Sequence, residues 1–148
     1  MLGFLELILG TPLSRKSRDI VLQSIVEGRT QVEAHEFLSW ATSQNTEKSG
    51  ALLAAQAIFL VVETFVLDRG WPKAITLAAL FLMLLATLLL MTNLRTAWWN
   101  RRMAKADWTS VQTHIFNTVI SRALRFNIAL YMTFLSIILL VVAAAPVV

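Results

Sequence analysis

The chain contains no cysteine. That excludes disulfides, thiolate metal sites and cysteine nucleophiles at once. A signal peptide of the usual form is also missing. In "MLGFLELILGTPLSRKSRD" no positive charge precedes the apolar stretch, Glu6 interrupts it, and no small-residue cleavage site follows. Ten residues of helix reach only ~15 Å against a hydrocarbon core ~30 Å thick, so the stretch is too short to span. It is expected to lie in the interface, with Arg15, Lys16 and Arg18 near anionic headgroups.

The usual catalytic constellations are missing too. There is no Gly-rich phosphate loop and no pair of carboxylates inside the apolar stretches. "EAHE", residues 33–36, brings two acids and a histidine together without the H-E-x-x-H spacing of a metal site. His35 and His114 fall outside the apolar stretches, where they cannot hold a haem between two membrane helices. They read as surface or helix-packing histidines. No catalytic, cofactor-binding or metal-binding residue is assigned, and the chain is expected not to be an enzyme. The formal charge of +4 on 148 residues does not read as a nucleic-acid footprint, so no nucleic-acid partner is expected.

What the chain does have is apolar sequence in blocks. Hydrophobic residues make up 57% of it, while a soluble domain is about half apolar. Three blocks are long enough to cross a bilayer: residues 50–67, residues 74–94 with no charge at all, and residues 127–148, also uncharged. Only "DRGWPK" separates the first two, and its Gly70 and Pro72 suit a tight turn. The expected fold class is therefore an all-α membrane protein with three transmembrane helices, a hairpin plus a third span. Its parts are a cytoplasmic or interfacial helical segment (1–49), the hairpin (50–94), a basic cytoplasmic amphipathic helix (95–126) and the third span (127–148).

The basic residues set the orientation. Five precede span one: Arg15, Lys16, Arg18, Arg29 and Lys48. Six lie between spans two and three: Arg95, Arg101, Arg102, Lys105, Arg122 and Arg125. The hairpin turn holds only Arg69 and Lys73. The expected location is a bacterial inner membrane with the N-terminus cytoplasmic and the C-terminus outside. Trp98 and Trp99 then mark the inner interface and Trp71 the outer one. Outside the spans, Val21, Ile25, Val32 and Leu38 recur loosely at helical spacing, with Gly28 weakening the middle. Trp108, Val111, Ile115 and Val119 form a second apolar face, with Gln112, Thr113, Asn117 and Ser121 opposite. That helix is expected to run without a break into span three.

Two residues look out of place. Gln56 and Glu63 sit seven apart inside span one and so share a face. Glu63 is four residues from the outer end of its span, about 6 Å of helix, which puts Lys73, Arg69 or water within reach. The sharper reading has it facing a wet or protein-lined interior, as ionisable residues within spans usually do. No other charge lies inside a span, so a buried Glu63 needs a partner from another chain or a proton of its own. Gln56 lies deeper, level with Thr87 on span two and with Thr133 and Ser136 on span three. These residues are expected to form a polar layer, either as glue between helices or as the lining of a pore between several copies. Gly50 with Ala54, and Ala129 with Thr133, repeat the small-xxx-small spacing of close helix approach. Lys48, Arg101 and Arg102 are placed to meet either a phosphate-bearing signal or the lipid headgroups.

"SQNTEKSGALLAAQAIFL", residues 43–60, resembles the entry into the first span of Pycsar-type bacterial membrane effectors, where Ala-Asp-x-Lys-Ala leads into a small-residue-rich helix. Lys48 matches the lysine, Ser49 stands for the following alanine, and Thr46 occupies the position of the aspartate. The close hairpin and the basic helix "HIFNTVISRALRFN" before the last span are similar as well, so the resemblance covers residues 44–148. It implies an antiviral effector that senses a cyclic nucleotide with its cytoplasmic helices and impairs the inner membrane. The expected function is thus a non-enzymatic, channel-like homo-oligomer in contact with membrane lipid. The alternative is a small accessory or structural subunit of a larger membrane complex.

Overall fold

The computed structural model describes residues 6, 11–68, 72–94 and 107–144. Among them are four helices and no strand: α1 (Arg15–Val26), α2 (Gln31–Asp68), α3 (Lys73–Leu94) and α4 (Trp108–Ala144). Three of these, α2, α3 and α4, are long and apolar enough to cross a membrane, with mean hydropathies of 2.1, 2.6 and 2.3 in their best windows. The chain is an all-α membrane protein. The interfacial role of residues 1–10 (Glu6 apart), the turn at Arg69, Gly70 and Trp71, and the expectations for Arg95, Trp98, Trp99, Arg101, Arg102 and Lys105 lie outside the described residues.

Local chemistry explains the first two helix starts. Ser14 caps α1 by accepting from the Ser17 N–H at 3.0 Å. Glu6 adds a second cap, accepting the Leu13 and Ser14 N–H groups at 2.7 Å each and the Ser17 hydroxyl at 3.2 Å. These N–H groups have no partner within the helix, so a carboxylate at its positive end is stabilising. The Ser14 N–H, and behind it that of Leu13, hold the Glu6 carboxyl below its ordinary value against the opposing effect of desolvation. The chain then turns at Gly28, whose φ of 76° suits glycine. It restarts through a capping box: the Thr30 N–H donates to Glu33 at 2.7 Å, and the Glu33 N–H donates to the Thr30 hydroxyl at 3.3 Å.

This break corrects the expected N-terminal apolar stripe. Val21 and Val32 are exposed, while Leu22 and Ile25 pack against Leu38, because the turn resets the helical phase. The face of α4 is rotated in a similar way. Phe116 and Ile120 are buried with Leu38, and Gln112, expected opposite, is itself buried and reaches the Gln31 carbonyl at 3.5 Å. The start of α4 is covered from two sides, by α1 and by the first turns of α2, so its buried face is wider than one stripe.

The residues form two compact units. One comprises residues 1–47 and 95–124, with the Leu38 core; the other comprises residues 48–94 and 125–148. Helices α2 and α4 contribute to both. Each is about 55 Å long, close to twice the hydrocarbon thickness. In the second unit the buried positions of α3 are Thr76, Ala79, Met83, Ala86, Leu90 and Asn93, alternating steps of three and four. Ala129, Thr133, Ser136, Leu140 and Ala143 do the same on α4. On α2, Ser49, Gln56 and Glu63 recur every seven residues. A repeat of 3.5 residues is the signature of left-handed, knobs-into-holes packing. Alanine at four of these positions, Ala79, Ala86, Ala129 and Ala143, lets backbones approach closely.

Candidate functional site

The seam of the second unit carries the polar residues, arranged in three layers. Innermost in sequence terms, Asn93 donates to the Ser49 hydroxyl at 3.3 Å. Next, Gln56 donates its amide to the Thr133 hydroxyl at 2.7 Å and lies 3.0 Å from the Thr87 hydroxyl, which donates to its carbonyl. In the third layer, the Ser136 hydroxyl lies 2.7 Å from Glu63 Oε1 and 2.9 Å from the Ala79 carbonyl. As the α2 residues climb from 49 to 56 to 63, the α3 residues they bond fall from 93 to 87 and then, through Ser136, to 79, which makes α2 and α3 antiparallel.

The structure brings Gln56, Thr87 and Thr133 together and assigns Ser136 to a different layer. Ser136 follows Thr133 by three residues, about 4.5 Å along the helix, and meets Glu63, about two turns beyond Gln56 on α2. Glu63 is buried in the seam. It is 0% exposed and bonded to Ser136, while Lys73 is exposed. Its Oε2 has no polar partner among the described residues. The heptad phase explains this: seven residues from the buried Gln56, Glu63 must point at the same seam.

Two members of the seam escape a reading of the sequence. Ser49 lies one more seven-residue step before Gln56, and Asn93 falls near the end of a span that carries no charge. Extending the step from Gln56 in both directions would have found the first. Of the two small-residue pairs, Ala129 and Thr133 are in the seam, but Ala54 is exposed and a Cβ at Gly50 would meet nothing within 4 Å. That pair faces away because it is out of phase with Ser49 and Gln56.

The outside of this unit is apolar. Ile58, Val61, Phe65, Leu77, Phe81, Leu88, Phe134, Ile138 and Val141 are all more than half exposed. The largest exposures, near 69% at Val61, sit one helical face away from fully hidden Gln56 and Glu63. In water this arrangement would forfeit most of the hydrophobic driving force. In lipid it satisfies both faces, since polar groups there need internal partners.

The first unit offers different material. A groove of about 510 Å³ is lined by Asp19, Gln23, Glu27, Gln31, Trp108 and Gln112 among others, with two carboxylates and no cation among its described lining residues. Arg122 donates to the Thr46 hydroxyl at 3.1 Å. The His35 ring lies 5.4 Å from that of Trp108, half-buried as a helix-packing histidine would be, and His114 is exposed. Lys48 is exposed as well; Arg101 and Arg102 lie outside the described residues. Among the described residues no group of three His, Asp or Glu side chains is placed to hold a metal ion.

Fold and seam together define a polytopic α-helical membrane protein with a polar interior and an apolar exterior. No family model, no curated protein and no solved structure matches the chain.

Proposed function

We propose that the chain is a non-enzymatic inner-membrane protein that self-associates and perturbs or permeabilises the membrane, with its N-terminus cytoplasmic and its C-terminus outside. One observation carries this reading. Hydrogen-bonding capacity is stored inside the span bundle, and the surface offered to lipid or to further copies is apolar. In a single chain Gln56 bonds both Thr133 and Thr87 and so ties the three spans together. Permeabilisation therefore requires an exchange, in which α2 moves away from α3 and α4 and the Gln56 layer re-forms between copies. Each bond exchanged contributes about 0.6–2 kcal/mol, small enough for a trigger to reverse the balance.

The similarity to Pycsar-type effectors supports a defence role with a cyclic nucleotide as trigger. Thr46, at the position of that pattern's aspartate, accepts from the Arg122 guanidinium at 3.1 Å. The carboxylate-lined groove suits an uncharged or cationic group better than a phosphate. A nucleotide phosphate is better matched to basic residues such as Lys48, Arg101 and Arg102. The basic flanks of the spans support the orientation.

A second reading, an accessory subunit of a larger membrane complex, draws support from the same seam. Its polar groups are bonded within one chain, which leaves an apolar face for another protein's helices. Native mass spectrometry of the chain purified in nanodiscs, followed by ion flux from liposomes, separates the two. A closed oligomer that conducts upholds self-association. A monomer without flux favours the accessory subunit.

A further inference from the structure

We propose that Glu63, Ser136 and the Ala79 carbonyl form a proton-binding site, and that the Glu63 carboxyl holds a proton in the closed bundle. The inference rests on counting hydrogens. The Ser136 hydroxyl has one, yet it lies 2.7 Å from Glu63 Oε1 and 2.9 Å from the Ala79 carbonyl oxygen. Both distances are those of O–H···O bonds. A carbonyl can only accept. If Ser136 donates to Ala79, the hydrogen of the other contact must come from the carboxyl. The order is then Glu63 to Ser136 to Ala79, one residue from each of the three spans.

In the second layer the amide donates along the same order, while the single hydrogen of the Thr87 hydroxyl is shared between the Gln56 carbonyl at 3.0 Å and the Met83 carbonyl at 2.9 Å, both longer than the 2.7 Å contact of Ser136 with Glu63. Gln56 donates its amide N–H to Thr133, and Thr133 donates onward to the Ala129 carbonyl at 2.8 Å. Thr133 bonds back to its own helix, four residues earlier, as helical threonines commonly do. The Ser136 bond runs instead to a neighbouring helix, so it is not imposed by the geometry of α4. An acid at Glu63 supplies the hydrogen that the amide supplies at Gln56.

Among the described residues nothing else is placed to neutralise a carboxylate. Besides Glu63, the described ionisable side chains of this unit are Lys48 on α2, Lys73 on α3, and Arg125 and Tyr131 on α4. Lys48, Lys73 and Tyr131 are exposed, and no described residue except Ser136 bonds the Glu63 carboxyl. An unpaired charge in such a place is costly, and a proton removes it without any movement of the helices. Loss of that proton turns Ser136 away from Ala79 toward the carboxylate and leaves a charge in the seam. Opening the seam to water is then the way to solvate it. This holds whether or not the chain self-associates.

The test is carbodiimide labelling of the full chain in nanodiscs at neutral pH, read by peptide mass. A protonated carboxyl gives up its hydrogen to a carbodiimide nitrogen while its oxygen adds to the central carbon. The acyl group then migrates to nitrogen, and nothing leaves. Dicyclohexylcarbodiimide, which partitions into lipid, is expected to label Glu63, and a cationic water-soluble carbodiimide is expected to leave it untouched. Glu63→Gln should fold, since its amide can donate to Ser136, and should lose the adduct. Infrared spectroscopy gives an independent reading. A protonated-carboxyl stretch should be present in the wild type, absent in Glu63→Gln, and shifted upward in Ser136→Ala, which removes the acceptor. Lack of both the adduct and the stretch at neutral pH would overturn the proposal. So would equal labelling by the water-soluble reagent, which means a wet carboxylate. Protection by sodium would overturn it as well, because the site would then hold a metal cation in place of the proton.

Discussion

Residues 11–47 with 107–124 bury Leu38, Phe116 and Ile120 and leave Asp19, Glu27 and Glu33 in the open, together with the apolar Ile20, Val32 and Trp40. Residues 48–94 with 125–144 differ in hiding Ser49, Gln56, Glu63, Asn93 and Ser136, alongside Met83 and Leu90, behind an exterior of Ile, Val, Leu and Phe. Both rules operate along the same two helices. In α2, the first four turns bury Ala34 and Leu38, and the later ones bury glutamine and glutamate. Being inside is therefore not a preference of the residue alone. It depends on which solvent the opposite face meets: water rewards hiding carbon, and lipid rewards hiding nitrogen and oxygen.

Substitutions that obey one rule in the wrong unit should break the molecule most. Glu63→Lys places an ammonium in the seam with a single hydroxyl for company, and is expected to cost several kcal/mol. It should abolish accumulation of folded chain in the membrane; wild-type levels in the membrane fraction would mean that the seam is wet. Leu38→Ala removes the centre of the other unit's core and should cost about 2–5 kcal/mol. Hydrogen exchange should rise in residues 15–47 and 108–124 and stay low in residues 50–66, and a uniform rise would show that the two units open together.

Smaller effects sharpen the contrast. Gln56→Leu should cost only about 0.6–2 kcal/mol, read as resistance to denaturing detergent. Thr87 and Thr133 keep bonds to their own helix, at Met83 and Ala129, when the amide is gone. A larger loss would show that the layer, not the surrounding apolar contacts, holds the spans together. The least effect is expected at Glu6. Its folded carboxyl titrates below the ordinary value, so its cap contributes fully above the ordinary carboxylate range and is lost as pH falls through the lowered one. Glu6→Gln should remove that acid-side loss from the α1 region, followed by amide exchange, and leave the span unit unaffected.

Much of the architecture was legible in the residues. Uncharged runs of about 20 residues have few other uses, so three spans and the hairpin follow from residues 50–67, 74–94 and 127–148. The shared face of Gln56 and Glu63 follows from their spacing. Less could be read near Gly28, where both a continuous helix and a turn fit the pattern until Glu33 is seen to close a box on Thr30. Nor could Gly50 with Ala54 be told from Ala129 with Thr133, because the same spacing fits any face of an apolar helix. The roles of Ser49 and Asn93 were hidden for a related reason: near a span end, a polar side chain suits headgroups as well as it suits a seam.

By itself, then, the sequence determined how many helices cross, how long they are and where polar groups sit along each of them. These are properties of single segments, set by side-chain transfer between water and hydrocarbon and by the pitch of the helix. Which hydroxyl meets which carboxyl was decided only by tertiary structure. Ser136 touches Glu63 and Ala79 because three helices pack in one 3.5-residue phase, and a rotation of α4 by one residue would have sent it into lipid. Pairing across helices depends on relative rotation and height, and no segment encodes either alone.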